Sequence, residues 1–343
     1  MIKVGIIGCG RIAQARHIPE YQASGKVEIY ALYDLNHGRA AELARQLGAR
    51  VCDSIDELLS LPIDAVSVCT ANVTHTEITL KALAKGLNVL CEKPMALTLP
   101  ECEQMVKAEA ESKGVLMIGQ NQRITPAHLL AKDIITSGEI GRVITFASTF
   151  GHSGPDTWSV DPGQNNWFFD PKRAIMGATA DLGVHKLDLV CDLLGDTVKA
   201  VTAKLTTLEK RYSDGSLIGV DDNSVMILEM NSGVLGTIRT SWTFFGYEDN
   251  TTIFYGTEGI LRIYADHDYP VVVFKKDGSR IGFESEGIQT NSFQHGGSGV
   301  IDAFLRSIEK GKSEISAASN LPAMKAVFAA LESSNIGRRV EIK

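Results

Sequence analysis

The sequence predicts an α/β protein in two parts: a parallel sheet with helical crossovers, then a domain built on a large, mostly antiparallel sheet. Three observations carry this. From residue 2 to about residue 119, short apolar runs alternate with helical patterns. The first run ends in Gly8-Cys9-Gly10-Arg11-Ile12-Ala13. Beyond residue 199, apolar runs follow one another with turn signals between them, such as Asn231-Ser232-Gly233 and Asp277-Gly278. At 343 residues the chain exceeds one ordinary core, so the expected division is 1–121 and 122–343.

The first strand, 2–7, reads as buried on both faces, and a helix over 12–23 follows it. Between them lies G-x-G-x-x-A, in the strand-to-helix setting that gives this motif meaning. Gly8 permits the tight turn. Gly10 lets the backbone approach a pyrophosphate resting on the helix N-terminus, where Arg11 and Ile12 supply the first turn. Ala13 allows close packing of helix on strand. The second strand, 27–33, ends at Asp34, the position of a ribose-binding acid. A carboxylate there accepts from both ribose hydroxyls and repels a 2′-phosphate, so NAD is expected over NADP. Arg39, close by, offers the opposite possibility.

The alternation continues with strands at 49–52, 65–69, 88–91 and 115–119, and helices at 39–47, 55–59, 74–85 and 100–112. Ser54 and Thr98 are candidate N-caps. Thr70-Ala71-Asn72 and Glu92-Lys93-Pro94 both fall at strand carboxyl ends, the edge where open α/β sheets bind ligands. Thr70, Asn72, His75, Glu92 and Lys93 therefore join Gly8, Gly10, Arg11, Ile12 and Asp34 as candidate cofactor contacts.

The second part opens with a helix over 126–136 and a strand over 142–150. An irregular stretch, 151–171, carries Trp158, Trp167, Phe168 and Phe169. These aromatics either pin the loop to a core or wall the apolar face of a sugar. A helix over 178–194 places Asp181 and His185 on one face, with Asp188 nearly in line. Strands are expected at 201–208, 224–230, 234–242, 251–255, 260–263 and 271–274. Helices at 299–310 and 319–335 and a strand at 339–342 complete the chain.

Composition excludes several classes. A net charge of −7 leaves no excess of Lys and Arg for nucleic acid. The N-terminal apolar run is too short for a signal-peptide core, and no later run reaches bilayer length, so a cytoplasmic protein without a membrane partner is expected. The six cysteines form no C-x-x-C pair and read as buried reduced thiols, with no metal site.

The ordered set of motifs resembles the Gfo/Idh/MocA oxidoreductases: G-x-G-x-x-A, Asn72 to His75, Glu92-Lys93-Pro94, Gln122-Arg123, D-x-G-x-H from Asp181 to His185, and Tyr255-Gly256-Thr257-Glu258-Gly259. The resemblance implies a Rossmann domain, hydride transfer between NAD(P) and a secondary alcohol of a sugar or cyclitol, and a cis Lys93–Pro94 bond. It also implies a homodimer or homotetramer formed through the open face of the C-terminal sheet. Oxidising an alcohol also requires a proton to leave oxygen, so His185 is expected to accept it, Asp181 to stabilise the imidazolium and Lys93 to donate to the reacting oxygen, although the roles of Lys93 and His185 could be exchanged. Lys93, Asp181 and His185 are the candidate catalytic residues; Asn121, Arg123, Trp158 and Trp167 are further substrate candidates. Arg123 could equally serve an interdomain salt bridge. Specificity is expected to rest on 151–171, Tyr247 and His295. Two rival readings are an NAD-dependent glycosidase working by transient oxidation and a non-catalytic NAD sensor.

Overall fold

The computed structural model describes residues 1–285 and 297–343; His295 lies outside the described residues. The chain forms two compact units. The first comprises Met1–Asn121, Trp158–Val160 and the described part of 289–321. The second comprises Gln122–Thr157, the described part of 161–288 and Pro322–Lys343.

In the first unit, β1 (Ile2–Ile7), β2 (Val27–Tyr33), β3 (Arg50–Val51), β4 (Ala65–Val68), β5 (Asn88–Cys91) and β6 (Leu116–Ile118) form a sheet ordered β3-β2-β1-β4-β5-β6. Every pairing is parallel. Val4, Ile6, Val66, Val89 and Leu90 have no exposed surface. Helices cover both faces of such a sheet, which is why its strands read as continuous apolar runs. The helices are α1 (Ile18–Ser24), α2 (His37–Leu47), α3 (Ile55–Leu58), α4 (His75–Ala84) and α5 (Leu99–Glu111). The Ser54 and Thr98 side chains accept from the N–H groups of Glu57 and Glu101 at the starts of α3 and α5. Such caps are worth about 1 kcal/mol each. The expected helix over 12–23 contains a π-helical turn, Ala13–His17, ahead of α1. The strand order reverses between β1 and β4, so the Gly8 turn and Thr70 flank the crevice where doubly wound sheets bind dinucleotides.

The second unit holds the helices α6 (Pro126–Thr136), α8 (Pro171–Ala174) and α9 (Val184–Leu194). A short helix, α7 (Pro155–Trp158), precedes α8. Its strands are β7 (Val143–Gly151), β8 (Val198–Thr206), β9 (Asn223–Met230), β10 (Leu235–Ser241), β11 (Thr252–Gly256), β12 (Gly259–Ile263), β13 (Val271–Lys275) and β14 (Arg280–Phe283). With the terminal strand β15 (Val340–Glu341), nine strands form a sheet ordered β14-β13-β12-β11-β7-β10-β9-β8-β15. All pairs are antiparallel except β7–β10. One face points inward through residues such as Met226, Leu228, Ile238 and Phe254; Val225 and Ile227 point outward. β14 is absent from the sequence expectation because its four residues offer too short an alternation to read. The helix expected from 178 begins as a π-helical turn, Thr179–Gly183, before α9.

The structure departs from the expected division at residue 121 because the chain returns to the first unit, briefly at Trp158–Val160 and again within 289–321. There α10 (Val300–Lys310) packs on α1. The Glu20 carboxylate of α1 accepts from the Ser298 N–H at 2.6 Å and the Ser298 hydroxyl at 3.1 Å. The Ile118 N–H donates to the Ile315 carbonyl at 2.9 Å, giving β6 a partner. A parallel sheet needs cover and terminal hydrogen bonds that residues 1–121 do not supply. The last helix, α11 (Ala317–Ile336), contains the unit boundary at Pro322.

Candidate cofactor and catalytic site

The dinucleotide half is built around the end of β1. Gly8 has φ +94°, and a Cβ there would stand 2.6 Å from the Cys69 carbonyl oxygen. Only glycine combines that torsion with so close an approach to the β4 turn. A Cβ on Gly10 would meet nothing within 4 Å, so the space above this peptide is open. Arg11 and Ile12 are partly exposed at the head of the following helix. Asp34 is tied to the same turn: one carboxylate oxygen accepts from the Cys9 N–H and the other from the Asn36 N–H, both at 2.7 Å. Burial and the Asp34 charge push the Cys9 thiol up to about 12, so it stays protonated. Arg39 turns onto Asp34 at 3.7 Å. The open peptide at Gly10 and the oriented carboxylate at Asp34 fit a dinucleotide, its pyrophosphate over the glycines and its ribose on Asp34.

Lys93 follows β5 and is partly exposed, and the Lys93–Pro94 peptide is cis. Its surroundings are fixed from two sides. The Glu92 carboxylate accepts from the Lys93 N–H at 3.2 Å and meets His17 Nε2 at 2.9 Å. Burial pushes the Glu92 pKa up, but the hydrogen bond and charge of His17, together with the Lys93 and Arg16 charges, outweigh this and leave it below the usual value. His75 is 1% exposed, with Nδ1 at 2.8 Å from the Pro94 carbonyl and Nε2 at 3.1 Å from the Thr70 carbonyl. Burial lowers the His75 pKa against the pull of these carbonyls, so the neutral ring donates to one of them at a time. His75 thus joins the loop after β4 to the loop after β5. Asn72 is buried in the 3₁₀ turn Asn72–Thr74 of the first of these loops.

In the second unit, Asp181 lies in the π-helical turn and His185 in the first turn of α9; each is 7% exposed. The Trp242 indole N–H donates to Asp181 at 3.0 Å, and His152 Nε2 lies 3.9 Å from the same oxygen. The Phe150 ring stands 5.9 Å from His152 and 6.0 Å from His185. The turn is held by Asp221, whose carboxylate accepts from the Gly177 N–H, the Thr179 N–H and the Thr179 hydroxyl. Burial nevertheless keeps the Asp221 pKa above the usual carboxylate value. Arg123 forms a two-pronged ion pair with Asp188, one turn beyond His185, at 2.6 and 2.5 Å. Arg123 therefore makes a salt bridge inside the second unit. Asn121 sits at the start of the 3₁₀ turn Asn121–Ile124.

The 151–171 stretch is anchored by Lys210, whose ammonium meets the Ser153 carbonyl at 2.5 Å and Asp156 at 2.7 Å. Trp167 stacks on Phe168 at 3.8 Å, and Phe168 meets Trp242 edge-on at 6.4 Å. An aromatic run thus leads from the loop to the indole that holds Asp181. Trp158 is partly buried and belongs to the first unit. Tyr247 is 72% exposed. Sequence reasoning missed Trp242, His152, Asp221 and His17. Each acts through a partner far away in the chain, and no local pattern marks it.

The doubly wound sheet, its open glycine turn and the oriented Asp34 carboxylate are those of an NAD-binding Rossmann domain. Comparison with known proteins agrees. The family described as "Oxidoreductase family, NAD-binding Rossmann fold" matches residues 2–120, and the GFO/IDH/MocA C-terminal domain matches residues 128–262. The chain belongs to the GFO/IDH/MocA oxidoreductase family. It is 29% identical to the levoglucosan dehydrogenase of Pseudarthrobacter phenanthrenivorans over 83% of this chain and 79% of that protein. It is 27% identical to the myo-inositol 2-dehydrogenase of Thermotoga maritima over 81% of this chain and 80% of that protein. A solved structure of levoglucosan dehydrogenase in complex with NADH superposes with a TM-score of 0.87 at 26% identity, covering 100% of this chain and 99% of that one.

Proposed function

We propose that this oxidoreductase takes a hydride from a secondary alcohol of a sugar, cyclitol or related polyol, with NAD preferred over NADP. The observation that carries the proposal is Lys93 at the carboxyl end of β5, with its backbone fixed by Glu92 and its proline by His75. NAD, when bound, supplies the hydride acceptor. Asp34, tied to the Cys9 and Asn36 amides, receives the ribose hydroxyls. Gly8, Gly10, Arg11 and Ile12 carry the pyrophosphate. Thr70, Asn72 and Glu92 shape the rest of the cofactor site, and His75 acts through the two loops it joins. Lys93 donates to the alcohol oxygen and stabilises its developing negative charge. His185 accepts the proton, and Asp181, steadied by Trp242, stabilises the imidazolium. Trp158, Trp167, Asn121 and Arg123 are assigned to the substrate side, Arg123 through its hold on Asp188. The named relatives support the substrate class: one is a levoglucosan dehydrogenase and one a myo-inositol 2-dehydrogenase.

The test is a panel of inositols, aldoses, anhydrosugars and sugar acids with NAD⁺ and NADP⁺. Reduced cofactor should accumulate with at least one member, and faster with NAD⁺. Release of a free sugar from a glycoside without that accumulation would favour transient oxidation instead, and no turnover with any member would sink the substrate class.

The second unit's sheet also supports self-association. Val225, Ile227 and Leu235 are 52, 53 and 50% exposed on its outward face. Residues 225, 227 and 229 pair across the strands with 239, 237 and 235, which makes this face a continuous surface. A second copy of the chain covers it, giving a dimer or a tetramer. Ile227→Lys should shift the species seen by light scattering toward monomer; an unchanged mass would remove this face from the assembly. No helix among the described residues is long and apolar enough to cross a membrane. The six cysteines are free and buried, which suits a reducing cytoplasm.

A further inference from the structure

Lys186 directly follows His185 and has no exposed surface. Its ammonium donates to the Asn250 carbonyl at 3.1 Å and the Thr252 hydroxyl at 3.3 Å. It also lies 5.7 Å from the centre of the Phe150 ring. No ion pair holds it among the described residues; the Asp249 and Glu248 carboxylates act on it through space. Burial pushes its pKa down to about 7 against those two charges. His128 on α6 faces the same space, its pKa driven to about 3 by burial and then by the Lys186 charge.

The surroundings form a buried polar cluster. His128 Nδ1 lies 2.8 Å from the Gln122 carbonyl, and the Gln122 side-chain amide donates to Asn250 at 3.3 Å. Gln122 Oε1, His128 Nε2 and Asn250 Nδ2 are buried without a hydrogen-bond partner among the described residues. The Thr252 hydroxyl shares a further hydrogen bond with Ser148 at 2.7 Å. An ammonium sunk behind a helix with two neutral acceptors is a poor way to gain stability, since an apolar side chain of similar size would pack there at lower cost. A positional role accounts for it better.

The helix that Lys186 anchors needs such an anchor. Its approach is the π-helical turn Thr179–Gly183, in which the regular hydrogen-bond ladder is interrupted. The ring of His185 is therefore aimed by the residues after it as much as by those before it. Two tethers lie within a turn on that side: Lys186 to the start of β11, and Asp188 to Arg123. Phe150 lies against both the Lys186 ammonium and the His185 ring. We propose that Lys186 is a positioning residue that locks the first turn of α9 onto β11 and, through Phe150, sets the direction of the His185 imidazole. This rests on the reading of His185 as the proton acceptor.

The test uses Lys186→Met and Lys186→Gln in the full-length enzyme. A displacement near 1 Å can cost about 10²-fold. Lys186→Met should accordingly lower kcat by roughly 10- to 100-fold, with KM for NAD⁺ unchanged. Lys186→Gln keeps a donor for the Asn250 carbonyl and should recover most of the loss. The imidazole NMR resonances of His185, assigned with a His185→Ala reference, should move in Lys186→Met. A folded Lys186→Met enzyme with normal kcat and unmoved His185 resonances would overturn the proposal. If Lys186→Met does not fold, Thr252→Val removes one acceptor with little change of shape, and unmoved resonances there overturn it equally. The resonances need no substrate. A wild-type enzyme inactive across the polyol panel would therefore refute the proposed function while leaving this measurement able to decide on Lys186.

Discussion

Lys93→Met should lower kcat by roughly 10²–10⁴-fold, the range typical of a lost proton-handling or charge-stabilising group, while NADH still binds. The backbone around residue 93 has anchors other than the ammonium. Glu92 holds the Lys93 N–H, His17 holds Glu92, and His75 holds the Pro94 carbonyl. Methionine has similar length and an apolar stem, so the loss reads the ammonium, its charge and its donors. His185→Ala should cost a comparable factor, because the hydroxyl proton then has no positioned acceptor. NADH fluorescence titration and steady-state kinetics on the best polyol check both. Near-normal turnover in either variant would strike that residue from the mechanism.

Gly8→Ala and Gly10→Ala should both lose cofactor binding, for different reasons. At Gly8 a Cβ would meet the Cys69 carbonyl at 2.6 Å and the Thr70 amide at 2.8 Å, from a backbone at φ +94°. Both contacts are backbone, so the loop after β4 must move. The conformational penalty alone is about 1–2 kcal/mol before the clash is counted. This variant should melt several degrees lower and bind NADH at least about 10-fold more weakly, since 1.4 kcal/mol is already that factor. At Gly10 a Cβ meets nothing within 4 Å. That variant should therefore melt like the wild type, yet still lose affinity because the methyl group occupies the pyrophosphate approach. Equal melting losses in the two would contradict the strained geometry assigned to Gly8. Tight binding by Gly10→Ala would contradict the assignment of that space.

The legibility of the chain depends on the range of the interactions. Strands, crossovers and caps are local. A run such as Val89-Leu90-Cys91 can be read as a buried strand because its neighbours in sequence carry the signal. The carboxyl ends of those strands then mark Gly8, Thr70 and Lys93 as sharing one edge, since parallel strands all point the same way. The same logic fails where partners are remote. Trp242 meets Asp181 across 61 positions, and His17 meets Glu92 across 75. Neither residue has a local pattern that distinguishes it from an ordinary core or surface position.

By itself, then, the sequence determined the parallel sheet and its glycine turn, the subsequent run of antiparallel strands, and the placement of Lys93, Asp181 and His185 on their elements. Periodicity and turn chemistry act within a few residues and need no tertiary context. Tertiary structure alone decided that the chain returns to complete the first unit, that Arg123 pairs with Asp188, and that Lys186 is buried. A lysine after a histidine on a helix reads as a solvent-facing charge. It becomes an internal tether only because folding brings the Asn250 carbonyl and the Thr252 hydroxyl, 64 and 66 residues away, to its ammonium. Long-range packing sets which polar groups meet, and no short stretch of sequence encodes that meeting.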